Sequence, residues 1–143
     1  MGEKRMGKRI VIIGGGRVGL EVAEYLKDTD NEITIIEMMA KIGRDLGGSF
    51  KFAYINKLKE LGIKIMVNTR LEKINGSCIT VNKSGELQEL EADNIILAVG
   101  ATPNQDVHTI AGAKVEKYCI GDCKKPRNIM EAIAEGWELG HQL

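Results

Sequence analysis

The chain has 143 residues, 43% of them hydrophobic, and its 20 Lys and Arg balance 20 Asp and Glu for a formal net charge of zero. That length suits one domain burying on the order of 70% of its unfolded surface, and it excludes two complete dinucleotide-binding domains or a barrel enzyme of roughly 250 residues. The balanced charge argues against a nucleic-acid footprint or an anionic membrane surface, both of which want a basic excess.

Residues 1–8 are polar and charged, include a second methionine, Met6, and read as a linker or remnant outside the fold. Arg9 to Ile13 is a continuous β-branched run, the pattern of a strand covered on both faces at the centre of a parallel sheet. It stops at Gly14-Gly15-Gly16. From Arg17 to Lys27, Val18, Val22, Tyr25 and Leu26 recur at helical spacing, with Glu21, Glu24 and Lys27 on the other side. A second β-branched run, Ile33 to Ile36, closes on Glu37 and completes a βαβ unit. After a glycine-punctuated loop from Met38 to Gly48, Ser49 is placed to cap a helix whose Phe50, Ala53, Tyr54, Leu58 and Leu61 share a face. Gly62 stops it.

Ile63, Ile65 and Val67 alternate as a third strand. Three short segments follow, near Thr69–Ile74, Ser77–Lys83 and Glu86–Glu91, divided by Asn75-Gly76 and Ser84-Gly85; they read as an antiparallel meander attached to the parallel sheet. Asn94 to Val99 is again apolar and predicts a buried strand ending at Gly100. Beyond Thr102-Pro103-Asn104 the pattern thins, a short strand is expected over Val115 to Ile120, and Asn128 precedes a helix with Ile129, Ala132, Ile133, Trp137 and Gly140 on one side. The fold class is therefore α/β, a Rossmann-like parallel sheet with a β-meander and a C-terminal strand–helix tail. The expected divisions are 9–104 and 105–143. No run approaches the ~20 apolar residues of a membrane span or the apolar core of a signal peptide, which predicts a soluble cytoplasmic protein.

Gly14-x-Gly16-x-x-Gly19 carries the chemistry. The first glycine permits the strand-to-helix turn, the second lets a pyrophosphate approach the backbone, and the third lets helix and strand pack closely. A pyrophosphate there would meet the unpaired N–H groups and positive dipole end of the helix starting near Arg17. Glu37 stands 21 residues after Gly16 at the end of the second strand, placed for an adenine ribose. Its carboxylate repels a 2′-phosphate, and Met38, Met39 and Ala40 supply no arginine to receive one, which favours NAD over NADP; Lys41 and Arg44 follow close behind. Cys78, Cys119 and Cys123 form neither a disulfide framework nor a usual zinc or C-x-x-C redox spacing and read as packing thiols. His108 and His141 have no acid or nucleophile pattern beside them and read as solvated bystanders. No Ser/His/Asp set or metal cluster stands out, so any chemistry belongs to cofactors.

Ile10 to Ala23 and Ile33 to Glu37 resemble the NAD-binding domain of the pyridine-nucleotide, FAD-dependent oxidoreductase superfamily. Within it, Ile96 to Asn104 and Tyr118 to Arg127 resemble the C-terminal region of NADH:flavin oxidoreductases of the dienoyl-CoA reductase and enoate reductase type. In that family the NAD domain is inserted in an FAD domain, behind an FMN-binding barrel with an iron–sulfur cluster. The resemblance implies that Gly14, Gly15, Gly16, Arg17, Val18 and Gly19 hold the NADH pyrophosphate and Glu37 the ribose. It implies that Glu21, Gly100 and Pro103 lie near the nicotinamide where it meets the flavin, and that Asp122 accepts from the FAD ribityl chain, with the helix after Asn128 aimed at the flavin. The N-terminal half of the FAD domain, the barrel and the cluster cysteines have no counterpart here.

The reading is an NADH-binding module of a flavin-dependent oxidoreductase that binds NADH without turnover alone. Two alternatives stay open. One is a partner-docking module whose tail completes an FAD domain on another chain, or self-associates through its terminal helix; the other is a Rossmann domain that binds FAD itself.

Overall fold

The computed structural model describes residues 7–27, 31–104, 106 and 115–143. They form two compact units, Met1–Gly100 and Ala101–Leu143.

In the first unit, β1 (Arg9–Ile13), α1 (Arg17–Lys27), β2 (Glu32–Ile36), α2 (Gly48–Glu60) and β3 (Lys64–Met66) lead into the meander β4 (Thr69–Asn75), β5 (Cys78–Lys83) and β6 (Glu86–Glu91), and β7 (Asn94–Leu97) follows. The parallel sheet has the order β3-β2-β1-β7, and the meander is a separate sheet, β4-β5-β6. The β1 side chains alternate between two cores, as its unbroken β-branched run requires. Ile10 and Ile12 pack with Leu20, Ala23, Leu58 and Ile63 on the helical face. Val11 and Ile13 pack with Ile79, Val81 and Ala92 on the meander face. Each fully buried isoleucine of this kind contributes on the order of 1.5–3 kcal/mol.

Several expectations are corrected by these contacts. Gly7 and Lys8 are hydrogen-bonded to the fold just ahead of β1: the Gly7 N–H donates to Asn94 Oδ1 at 2.6 Å, and the Lys8 carbonyl accepts from the Glu32 N–H at 2.8 Å. The buried face of α1 is Gly19, Leu20 and Ala23, with Val22 and Leu26 at its margin, while Val18 and Tyr25 are exposed. Gly19 lies where the helix comes closest to the turn after β1, and no side chain fits there.

Ser49 is inside α2 rather than at its cap; Gly47 holds the cap position, with no side-chain hydrogen bond. Leu58 is the buried anchor of α2, flanked by Tyr54, Ile55 and Leu61, whereas Phe50 and Ala53 are exposed. The first hairpin loop is Gly76-Ser77 and not Asn75-Gly76, because Asn75 pairs with Cys78. That register sends Ile79 and Val81 to the core; a one-residue slip would reverse them.

The meander is stacked on the parallel sheet rather than joined to its edge. β7 is half-buried and ends at Leu97, with Leu97 and Val99 exposed, because β1 is its one strand neighbour among the described residues. The Arg9 guanidinium binds Glu91 and Asp93, tying the start of β1 to the start of β7. Arg9 holds the Asp93 carboxyl down at about 2.

The second unit contains a 3₁₀ turn, Gly121–Cys123, and the helix α3, Ile129–Gln142. Asn128 caps α3 as its sequence position predicts, accepting from the Met130 and Glu131 N–H groups. The expected strand over Val115 to Ile120 is absent: these residues find no ladder partner among the described residues. No helix among the described residues is long and apolar enough to cross a membrane.

Candidate functional site

The parallel strands run β1 to β2 to β3 on one side of β1, and the chain returns to the other side as β7. The order reverses between β1 and β7, and in open α/β sheets the crevice outside the strand ends at such a reversal is where ligands bind. Gly14 follows β1 there. Its N–H donates to the Ile36 carbonyl at 2.8 Å, and the Ala98 N–H donates to the Ile13 carbonyl at 2.8 Å. The glycine turn is thereby stitched to the ends of both neighbours.

The three fingerprint glycines stand in different surroundings. Gly14 sits at φ 111°, and a Cβ there would lie 2.2 Å from the Ala98 carbonyl oxygen. At Gly19 it would lie 2.0 Å from the Gly14 carbonyl oxygen, which makes this glycine the contact point of helix and strand. Gly16 differs, for the nearest atom to its missing Cβ is an Asp45 carboxylate oxygen at 3.6 Å. Steric crowding demands Gly14 and Gly19; at Gly16 a Cβ would meet only the Asp45 carboxylate, in ordinary contact.

Two carboxylates already occupy the backbone donors of this turn. Glu37, half-buried at the end of β2, accepts from the Gly15 N–H at 2.8 Å through one oxygen and from the Met39 N–H at 2.8 Å through the other. Asp45 accepts from the Arg17 N–H with both oxygens, at 3.0 and 2.9 Å. It sits at the N-terminus of α1, where unpaired N–H groups and the helix dipole favour an anion. Its carboxylate is a built-in stand-in for a phosphate oxygen. Asp45 was invisible to sequence reasoning, since it lies 28 residues from Arg17 in a loop without periodicity. The loop is brought there by the Gly43 N–H, which donates to the Gly15 carbonyl at 2.6 Å, and by buried Ile42.

A dinucleotide pyrophosphate fits this place. The Arg17 N–H at the α1 N-terminus is an anion donor, and it already holds the Asp45 carboxylate beside Gly16, an anion that a pyrophosphate would replace. Glu37 retains acceptor capacity for ribose hydroxyls, because a carboxylate offers about four lone-pair directions and two are in use. Behind the turn, α1 is braced by Glu24, which accepts from Tyr54 Oη at 2.6 Å and pairs with Lys57. Lys57, then Tyr54, hold the Glu24 carboxyl below its ordinary range. Burial, then Glu24, push the Tyr54 phenol up.

The structure brings Gly14, Gly15, Gly16, Arg17, Gly19 and Glu37 together. Val18 and Glu21 are exposed on α1, and Gly100 is exposed three residues past β7. Lys41 and Arg44 both face solvent in the loop after Glu37.

Pro103 and Asp122 belong to the second unit. Asp122 is exposed and its Oδ1 accepts from the Arg127 N–H at a long 3.4 Å, so it is available to a hydroxyl donor. The α3 N-terminus is already satisfied by Asn128, and the Gly121 N–H donates to Glu135 at 2.7 Å. His141 is not isolated: its ring lies against Trp137, tilted by 36° with centroids 4.0 Å apart. His108 lies outside the described residues. Among the described residues no group of three His, Cys, Asp or Glu is placed to hold a metal ion.

A parallel sheet of this order with a glycine turn at its reversal defines a nucleotide-binding domain of the Rossmann type. Residues 1–136 match the pyridine nucleotide-disulphide oxidoreductase family, and the chain belongs to it. It is 31% identical to a metal reductase of Desulforamulus reducens, over 95% of this chain and 25% of that protein. It is 30% identical to a cinnamate reductase of Clostridium sporogenes, over 100% of this chain and 22% of the relative. Among solved structures, a 2-naphthoyl-CoA reductase in complex with 2-naphthoyl-CoA superimposes with a TM-score of 0.83 at 28% identity, covering 99% of this chain and 22% of that one. The chain thus spans about a quarter of the length of these relatives, as a pyridine-nucleotide, FAD-dependent oxidoreductase domain within larger proteins would.

Proposed function

We propose that this chain is the NADH-binding module of a flavin-dependent reductase acting in the cytoplasm. The observation that carries the reading is the Asp45 carboxylate seated on the Arg17 N–H and against the side-chain-free face of Gly16. A site already tuned to an internal anion at a helix N-terminus accepts a pyrophosphate in its place. In this reading Gly14, Gly15, Gly16, Arg17, Val18 and Gly19 cradle the pyrophosphate and Glu37 receives the adenine ribose. Glu21, Gly100 and Pro103 border the nicotinamide, and Asp122 contributes one contact to an FAD whose other contacts come from the rest of the enzyme. When bound, the nicotinamide supplies a hydride and the flavin accepts it; the residues here bind, orient and select. An FMN-binding barrel and an iron–sulfur cluster, with an organic acceptor of the enoate or acyl-CoA kind, would belong to the remainder of the reductase. The names of the cinnamate and 2-naphthoyl-CoA reductases support that class of acceptor.

Titration of the purified chain tests it. NADH is expected to bind about tenfold more tightly than NADPH, a difference of about 1.4 kcal/mol, and Glu37→Gln to narrow the gap. Equal or tighter NADPH binding overturns the role given to Glu37, and a chain that purifies yellow favours FAD in the glycine turn instead. A second reading, that the tail docks on another chain or a second copy, draws on the exposure of Ile129, Ile133 and Trp137. Deleting residues 105–143 without change in oligomeric state removes it.

A further inference from the structure

The second unit holds an arrangement that neither the family match nor the proposed function uses. Cys119 Sγ and Cys123 Sγ lie 3.1 Å apart across the 3₁₀ turn, and Cys123 Sγ also donates to the Ile120 carbonyl at 3.0 Å. Both cysteines are half-buried rather than enclosed, so neither is a packing thiol in the ordinary sense. The turn between them is pinned: the Lys124 and Lys125 N–H groups both donate to the Gly121 carbonyl at 3.0 Å, and the Gly121 N–H is held by Glu135. The third cysteine, Cys78, sits in β5 of the other unit with its Sγ turned to the Ile79 carbonyl at 3.9 Å.

We propose that Cys119 and Cys123 are a dithiol–disulfide pair, oxidised by low-molecular-weight disulfides and closing on each other in preference to Cys78. The two sulfurs need to approach by only about 1 Å to reach bonding distance, and the turn already holds them facing one another. The chemistry is thiol–disulfide exchange. One thiolate attacks a small disulfide, forming a mixed disulfide and expelling one small thiolate. The neighbouring thiol, losing its proton to solvent, attacks the protein sulfur of that mixed disulfide and expels the second. Two protein thiols are oxidised and one small disulfide is reduced to two thiols. The product spans Asp122, so oxidation ties the two ends of that turn together. The proposal stands whether or not the chain binds NADH.

The test uses the whole chain in glutathione buffers of graded ratio, quenched with an alkylating agent and digested with trypsin. Cleavage after Lys117 and Lys124 leaves both cysteines in one peptide, Tyr118 to Lys124, with Cys78 in another. The expected result is that this peptide becomes lighter by two hydrogens and unalkylated while Cys78 stays alkylated, with full reversal by dithiothreitol. Its midpoint should fall at a glutathione ratio about tenfold more reducing than for the chain unfolded in guanidinium, because the fold pre-positions the sulfurs. A stable glutathione adduct on either cysteine, two alkylated thiols throughout, a bridge to Cys78, or the same midpoint folded and unfolded would each overturn it. Cys119→Ser should convert the closed product to a retained glutathione adduct on Cys123.

Discussion

The two units treat a glycine turn in opposite ways. In the first, the turn after β1 is backed by two cores, with Ile12, Leu20, Ile35, Ile79 and Val81 fully enclosed. In the second, neither the 3₁₀ turn nor α3 contains a buried residue, and Ile129, Met130, Ile133 and Trp137 remain exposed. One turn is held by packing; the other is held by polar straps, the Glu135 carboxylate binding Gly121, Lys124 and Arg127. The contrast teaches where rigidity comes from. Hydrophobic burial fixes a backbone from behind, whereas charge pairs on an exposed turn do the same job through contacts that water screens.

The largest effect that would break this contrast is at the glycines. Gly14→Ala places a Cβ against the Ala98 backbone at a positive φ and is expected to cost about 3 kcal/mol or more, read as the shift in urea midpoint by far-ultraviolet circular dichroism. Gly121→Ala, at φ 61° with Ala132 Cβ at 3.6 Å as its nearest atom, meets conformational strain alone and is expected to cost roughly 1 kcal/mol. Trp137, the one tryptophan, reports that change by fluorescence. Equal costs at the two positions would mean that the turns are held alike.

A smaller effect sharpens the comparison at the site itself. Asp45→Ala removes a carboxylate from the α1 N-terminus and is expected to lower stability by up to about 1 kcal/mol. The same change is expected to tighten NADH binding by up to about fivefold, because the ligand no longer displaces an internal anion. Opposite signs in melting and titration identify Asp45 as a competitor; weaker binding would make it part of the ligand's own cradle.

The smallest effect is in acid. Arg127 first, then the Gly121 N–H, hold the Glu135 carboxyl at about 2, and Arg9 does the same for Asp93. A depressed carboxyl stabilises the fold fully above the unfolded value near 4 and loses that contribution as pH falls toward 2. Trp137 fluorescence is therefore expected to change over pH 4 to 2 before the circular dichroism of the first unit does, and Glu135→Gln to remove that early change. Coincident acid transitions would show that the straps matter no more to the second unit than to the first.

Much of this molecule was legible without coordinates. The limits of β1, the Rossmann-like order of strand, glycine turn, helix and strand, and the Asn128 cap all follow from local rules in which a residue and its near neighbours carry the information. The errors share a cause as well. Val18, Tyr25 and Phe50 have apolar side chains at helical spacing, yet they are exposed, because spacing marks a face without saying whether anything covers it. Asn94 to Val99 reads as buried for the same reason, and Val115 to Ile120 has the residues of a strand but no partner to pair with.

By itself, the sequence determined the family, the parallel βαβ unit and the glycines that crowding demands, since steric exclusion and hydrophobic periodicity act over a few residues. Only the tertiary structure decided which acid occupies the helix N-terminus, which face of each helix meets the sheet, and that two thiols four positions apart face each other. Those outcomes depend on where loops return after many residues and on how a short turn aims its side chains, and neither leaves a period in the chain.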